Sequence, residues 1–306
     1  MNNSKTVALL SVVIIALLGG YESAQSQDLP LSLILIDGEK WELVSTDHSF
    51  TEGPAVNSAG EVFFTDVPKS EIYKVDLAGK VTLWSDQTNR TAGAIMGPED
   101  VLYGASIGGG AIVKFDAAGK PTPIVSNIVC NDLVVNGAGG IYFTDHKNKK
   151  VWHVSPQGKL QQVDQNMTSP NGIILWPDQK QLIVSNTKGS ELWTYRIEAD
   201  GSLSHKQAYS RMRLPVGETE SGADGMTVDV VGRLYVCTHE GVQVFDTQGR
   251  LSGIIAKPQQ KFLSNICFGG KNLDTLYVTT MDKVYRRKLN PQGVRYSKEE
   301  WIVDGA

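Results

Sequence analysis

The chain has little cysteine, only Cys130, Cys237 and Cys267 in 306 residues. An odd count at wide spacing excludes a disulfide framework. Each lies in an apolar run (IVCND, LYVCTH, NICFGG), as buried free thiols do; a Cys237–Cys267 bridge is the one pairing left open. A basic excess is also missing, since 29 Lys and Arg face 33 Asp and Glu, for a net charge of −4. That balance argues against a nucleic-acid partner. Proline is not raised, at 12 residues. No helical 3.6-residue period persists over a useful length. The charge-free run Val7 to Leu18 (VALLSVVIIALL) is too short for a membrane span, which needs about 20 apolar residues. What is present is an apolar fraction of 41%, enough for a sizeable core, and a glycine excess, 31 of 306 residues. Glycine thus stands at about 10%, against about 7% in ordinary chains.

Residues 1–26 have the layout of a secretory signal peptide: a cationic start at Lys5, the short apolar run, then GGYESAQSQ with Ala24 and Ser26 in small-x-small spacing. Cleavage is expected after Ser26, leaving one domain over residues 27–306 that is periplasmic or secreted, with no membrane contact once the signal is removed. An uncleaved N-terminal anchor is the alternative.

Six segments then share one grammar: a strand-like run, a short link, a second run and a glycine turn. They begin at Val62, Val101, Ile141, Leu182, Leu234 and Leu276. The closing glycines are Gly79, Gly119, Gly158, Gly201, Gly249 and Gly293, at steps of 40, 39, 43, 48 and 44. Glycine supplies the positive φ that such turns need. A further apolar segment precedes each unit (GPAV, GAIM, LVV, GIILW, GMTV, ICF), and the stretch after each turn usually leads into one more short run. Four strands per period of about 40–45 residues, six times over, make an all-β chain and a six-bladed β-propeller. Each blade is then a four-stranded antiparallel sheet. Trp41–Thr46 (WELVST) has no hairpin partner and is expected to add the outer strand of the last blade, removing an exposed edge. The C-terminal WIVDGA competes for that place.

The residue introducing the innermost strand of each unit recurs at Glu52, Ala92, Asn131, Asn171, Asp224 and Asn265. Five of these six carry a side-chain oxygen acceptor and would converge on the propeller axis. Such oxygens suit a hard divalent cation; Ca²⁺ takes six to eight at about 2.3–2.6 Å. The ring has no His or Cys, so Zn²⁺ is a weaker fit. Asn and Asp before strands also cap turns, so the argument rests on five acceptors in register.

At these residues the chain resembles the SMP-30/gluconolactonase/LRE (regucalcin-like) family. The stretches are EGPAV from Glu52, NDLVVNGAGGIYFTD from Asn131, SPNGIILWPDQKQLIVSNT from Ser169, GADGMTVDVVGRLYV from Gly222 and SNICFGGKNLDTLYVTT from Ser264. The resemblance implies a six-bladed propeller and one axial divalent metal, Ca²⁺ first and Zn²⁺, Mg²⁺ or Mn²⁺ as alternatives. It implies metal ligation by Glu52, Asn171 and Asp224, and contact of Asn131 with substrate or a metal-bound water. Asp224 takes the place of the general base, while Asp132 reads as a turn or supporting group. The implied reaction is hydrolysis of a small-molecule lactone or related ester by metal-activated water. Two departures bear on substrate: Val129 stands where regucalcin-like members carry an Arg, and Ala92 where the second blade often offers an Asn. Both remove polar contacts and favour a less polar lactone or ester.

GASIG around Ser106 fits the letters of a nucleophile elbow but lacks the strand–helix context. His146 and His239 end second strands on loops near the channel mouth, whereas His48, His153 and His205 read as peripheral. Arg211–Gly225, the longest gap between units, is a candidate lid. A non-catalytic ligand- or protein-binding propeller with a structural calcium is the alternative from a different class, since fold does not fix function.

Overall fold

The computed structural model describes residues 31–296. They form six four-stranded antiparallel sheets in a six-bladed β-propeller. The inner strands are Thr51–Val56, Thr91–Met96, Leu133–Val135, Pro170–Leu175, Met226–Val228 and Asn265–Gly269. These are the short apolar segments that precede each repeat. Crowded between the axis and the second strand, they are mostly buried along their length. Outer strands such as Val81–Ser85 and Leu160–Gln165 are mostly half-buried or exposed. That gradient explains why the inner strands read as continuous apolar runs and the outer ones do not.

The core is divided among the blade interfaces. One apolar cluster joins blades 1 and 2 through Ala55, Phe63, Ala94 and Leu102. Others join blades 2 and 3, 3 and 4, 4 and 5, and 5 and 6. The last joins blade 6 to blade 1 through Cys267, Tyr277, Val62 and Phe64. The ring therefore closes by packing as well as by hydrogen bonds.

Closure follows the expected route. Glu42–Ser45, from WELVST, pairs antiparallel with Lys283–Lys288 and supplies the outer strand of blade 6. Glu42 pairs with Arg286 across the ladder and forms an ion pair with it at 2.9 Å. Trp41 Nε1 donates to the Ala256 carbonyl at 2.8 Å. The rival WIVDGA and the expected signal segment 1–26 lie outside the described residues.

Five of the six expected closing turns are present. Gly79, Gly119, Gly158, Gly201 and Gly249 have φ between +77° and +84°, and each donates to the carbonyl three residues back. Gly293 is a correction. It forms a bridge with Asp229, with Phe268 packed against it. The N-terminal strand already completes blade 6, so no turn is needed there, and the chain runs under the disc instead.

All three cysteines are buried and free, which leaves the Cys237–Cys267 bridge unmade. His153 is buried on the third strand of its blade, away from the ring, stacked on Tyr142 at 4.6 Å.

Candidate functional site

Each inner strand starts at the same face of the disc, which gathers the ring positions there. Glu52, Asp224 and Asn265 are buried, at 8%, 5% and 6% exposure, while Asn131 and Asn171 are half-buried. The blades must approach closely for this, and glycines permit it. A Cβ on Gly172 would lie 2.1 Å from the Asp224 carbonyl oxygen, and one on Gly53 would lie 2.4 Å from that of Ala92.

Two hydrogen-bonded arms meet at this ring. In the first, Asn265 Nδ2 donates to Glu52 Oε2 at 2.9 Å and reaches Asp132 Oδ2 at 3.4 Å. The Gly53 amide also donates to Glu52 Oε2, at 2.7 Å. In the second, Asn131 Nδ2 donates to Asn171 Oδ1. Asn171 Nδ2 donates to Thr187 Oγ1 at 3.0 Å, and the Thr187 hydroxyl donates to the Ala223 carbonyl at 2.8 Å. That hydroxyl has one proton, committed to Ala223, so it can only accept from Asn171. The Asn171 amide is thereby oriented with Oδ1 away from Thr187, on the Asn131 side.

Asp132 is the residue the sequence undervalued. It is buried, at 7% exposure, and its carboxylate faces the Glu52 and Asp224 charges. Burial, then the charge of Glu52, pushes its carboxyl up to about 8, against amide donation from Leu133 and Asn265. Burial raises Glu52 as well, against donation from Gly53 and Asn265. Asp224 is raised well above the ordinary carboxylate range by burial, then by Glu52 and Asp132. Signals for Asp132 and for the wedged Asn265 were present as neighbouring glycines. A Cβ on Gly93 would meet Asp132 Oδ1 at 2.2 Å, and one on Gly225 would meet Asn265 Oδ1 at 1.9 Å. Glycine there makes room for the polar side chain of the next blade.

This donor set fits a hard cation. Three buried carboxyls repel one another, and no lysine or arginine acts on any of them among the described residues. Nor do three His, Cys, Asp or Glu side chains stand together as a chelating group among the described residues. A cation would therefore have to combine Glu52 and Asp224 with amide oxygen from Asn171, an all-oxygen set of the kind Ca²⁺ takes. Ala92 adds nothing polar to the ring, and Val129 is a half-buried apolar side chain.

The surrounding rim is partly aromatic. Phe50, two residues before Glu52, stacks on Phe262 at 6.5 Å. His239 meets Phe262 edge-on at 6.1 Å and covers Gly222, two residues before Asp224. His146 is exposed on its loop. The Arg211–Gly225 gap is anchored at both ends: Met212 donates to the Ser190 carbonyl, Ser221 to Gly189 and Gly222 to Thr187, while Val216 is fully exposed between them.

His48, expected to be peripheral, sits at the closing seam between the rings of Phe64 and Tyr73. Its Nε2 lies 2.6 Å from Ser45 Oγ, and its Nδ1 3.4 Å from Asp66 Oδ2. The order is that of a hydrolase triad. However, Asp66 is committed to the amides of Ser49 and Phe50 and to Lys69. Those bonds fix the chain entering Glu52, so we assign the cluster to positioning that strand.

A family model described as the SMP-30/Gluconolactonase/LRE-like region matches residues 50–282. The chain is similar to the gluconolactonase of Zymomonas mobilis subsp. mobilis, 25% identical over 292 residues that cover 82% of each chain. It is also similar to a pentonolactonase of Haloferax volcanii, 23% identical over 248 residues, or 78% of this chain and 84% of the other. Among solved structures, a gluconolactonase from Xanthomonas campestris matches with a TM-score of 0.75 at 26% identity, covering 85% of this chain and 92% of that one.

Proposed function

The chain belongs to the SMP-30/gluconolactonase/LRE-like family, and on that premise we propose that it is an exported, divalent-cation-dependent hydrolase that opens a lactone or related ester. The observation that carries this reading is the buried cluster of Glu52, Asp132 and Asp224 on the axis, acted on by no cationic side chain among the described residues. The lactonases among the chain's relatives support the reaction class.

Glu52, Asn171 and Asp224 would hold the cation, with Ca²⁺ first by donor chemistry. When bound, it supplies Lewis-acid polarisation of the substrate carbonyl. Asp224 takes the proton of a water whose oxygen bonds to the carbonyl carbon, through a carboxylate oxygen not engaged in ligation. The ring C–O bond then breaks, the leaving oxygen recovers that proton, and a hydroxy acid results. Asn131, whose Nδ2 donates to Asn171 Oδ1, would contact the substrate or a cation-bound water with the rest of its amide. Asn265 holds Glu52 and Asp132 in place and keeps the carboxylates from turning away. With Val129 and Ala92 beside the ring and Phe50 and Phe262 on the rim, the substrate is less polar than an aldonolactone.

Purified protein should hydrolyse members of a lactone panel in a chelator-sensitive way, and Asp224→Ala should abolish turnover. No turnover on any lactone, ester or phosphoester with cation bound would sink the proposal. The same ring departures favour a second reading, a binding propeller with a structural calcium. It predicts tight capture of an unhydrolysed ligand. Export predicts that cell fractionation finds the mature chain in the periplasm or medium, beginning at Gln27.

A further inference from the structure

One cavity of the molecule lies away from most of the ring residues. It has a volume of about 420 Å³ and occupies the channel behind the ring. It is lined by the later residues of the inner strands, including Ile95, Ile173 and Phe268. It continues to the turns at Asn57–Ser58 and Gly97–Asp100, which join first strands to second strands. Those turns lie on the face opposite the ring. Glu52, Asn131, Asn171 and Asp224 do not line it. Asp132 and Asn265 do, so they form its inner end and separate it from the cation side.

The cavity also has a built mouth. After Gly293 the chain crosses beneath the disc, and Val294, Arg295 and Tyr296 line the chamber. This strap is tied to three blades. The Val294 amide donates to the Val228 carbonyl at 3.4 Å, Tyr296 Oη to the Leu175 carbonyl at 2.5 Å, and Arg295 Nη1 to the Ser58 carbonyl. A chamber of this volume, with mostly apolar walls and a few convergent polar groups, has the character of a small-molecule site.

We propose that this chamber is a second ligand site, entered from the face opposite the ring, for an uncharged, elongated apolar molecule with one hydrogen-bonding end. The apolar body lies along Ile95, Ile173 and Phe268. The polar end meets the carboxyl of Asp132 at the inner wall. An anionic ligand is excluded because its charge would be buried, unhydrated, beside carboxyls. Occupancy does not require the hydrolytic reaction.

The test uses the full chain and the uncharged fluorophore N-phenyl-1-naphthylamine, titrated with and without chelator. Saturable one-to-one binding is expected in both conditions. Val294→Trp on the strap and Ile95→Trp on the wall should each fill the chamber and weaken binding about tenfold or more. Calorimetric cation affinity and melting temperature should stay at the wild-type level in Val294→Trp, which shows that the loss is local. An excess of δ-valerolactone should not displace the dye. Absence of saturable binding, wild-type affinity in both Trp variants, or displacement by the lactone would each overturn the proposal.

Discussion

Gly172 offers a sharp test of how the site is assembled. A Cβ built on it lies 2.1 Å from the Asp224 carbonyl oxygen, 2.8 Å from its carbonyl carbon and 2.9 Å from Gly225 Cα. All three are backbone atoms, so no flexible side chain can yield. Real Cβ atoms keep at least 3.0 Å, so Gly172→Ala must separate the inner strands of blades 4 and 5 by about 0.9 Å. Overpacking of this kind costs about 1–3 kcal/mol. At about 2–4 °C per kcal/mol for a domain of this size, melting should fall by about 2–12 °C. The functional loss should be larger in proportion. Asn171 precedes Gly172, and Asp224 is the residue pushed away, so both proposed cation ligands shift against each other. A displacement near 1 Å can cost about 100-fold in rate. Gly158→Ala is the control. Gly158 has φ +82° but no atom within 4 Å of its would-be Cβ. Its cost is only the left-handed backbone, about 1–2 kcal/mol. Calorimetric Ca²⁺ titration and urea unfolding of both variants separate the two effects. Gly172→Ala should lose stability and cation affinity, and Gly158→Ala stability alone. Wild-type cation affinity in Gly172→Ala, or equal loss of affinity in Gly158→Ala, would refute the reasoning.

Burial raises the carboxyls of Glu52, Asp132 and Asp224, Asp132 to about 8. The folded, chelated protein thus keeps protons that the unfolded chain releases, so its stability is full below the ordinary carboxyl range and lost as pH rises through about 8. Thermal melts of chelated protein should fall between about pH 5 and about pH 8.5, and saturating Ca²⁺ should flatten that slope. Glu52→Gln should weaken Ca²⁺ binding about 10-fold or more by calorimetry while leaving the far-UV circular dichroism of the sheets unchanged. Arg233→Ala strips the partner of the fully buried Asp229, whose Oδ2 lies 2.5 Å from Arg233 Nε. Urea denaturation should show a loss of about 3–5 kcal/mol.

The blades were legible because their turns are written in glycine. Gly79, Gly119, Gly158, Gly201 and Gly249 all take the positive φ their spacing implied. Gly293 broke the series because a strand from the other end of the chain, Glu42–Ser45, had already filled the place its hairpin would need. Linear periodicity carries no sign of that substitution. The candidate site was legible where one acceptor per blade recurs. It was not legible at Asp132, whose electrostatic interaction with Glu52 and Asp224 crosses from blade 3 to blades 1 and 5. Only the missing Cβ of Gly93 hints at the space its carboxyl occupies. The chamber beneath the ring was equally hidden, since its walls are the apolar residues any propeller core requires.

The pairing of Glu42–Ser45 with Lys283–Lys288 has a consequence in time. It is the contact of greatest sequence separation among the strand pairs, and loop closure makes such contacts late in folding. Five blades can each form from neighbouring sequence, but the sixth must wait for a strand made first. Glu52 follows that early strand closely, whereas Asp224 belongs to the fifth blade. The proposed cation ligands therefore come into register only when the circle shuts. A cation bound as proposed would draw its whole binding free energy from the closed ring. It would act as a latch, slowing unfolding by holding the first and fifth blades in register.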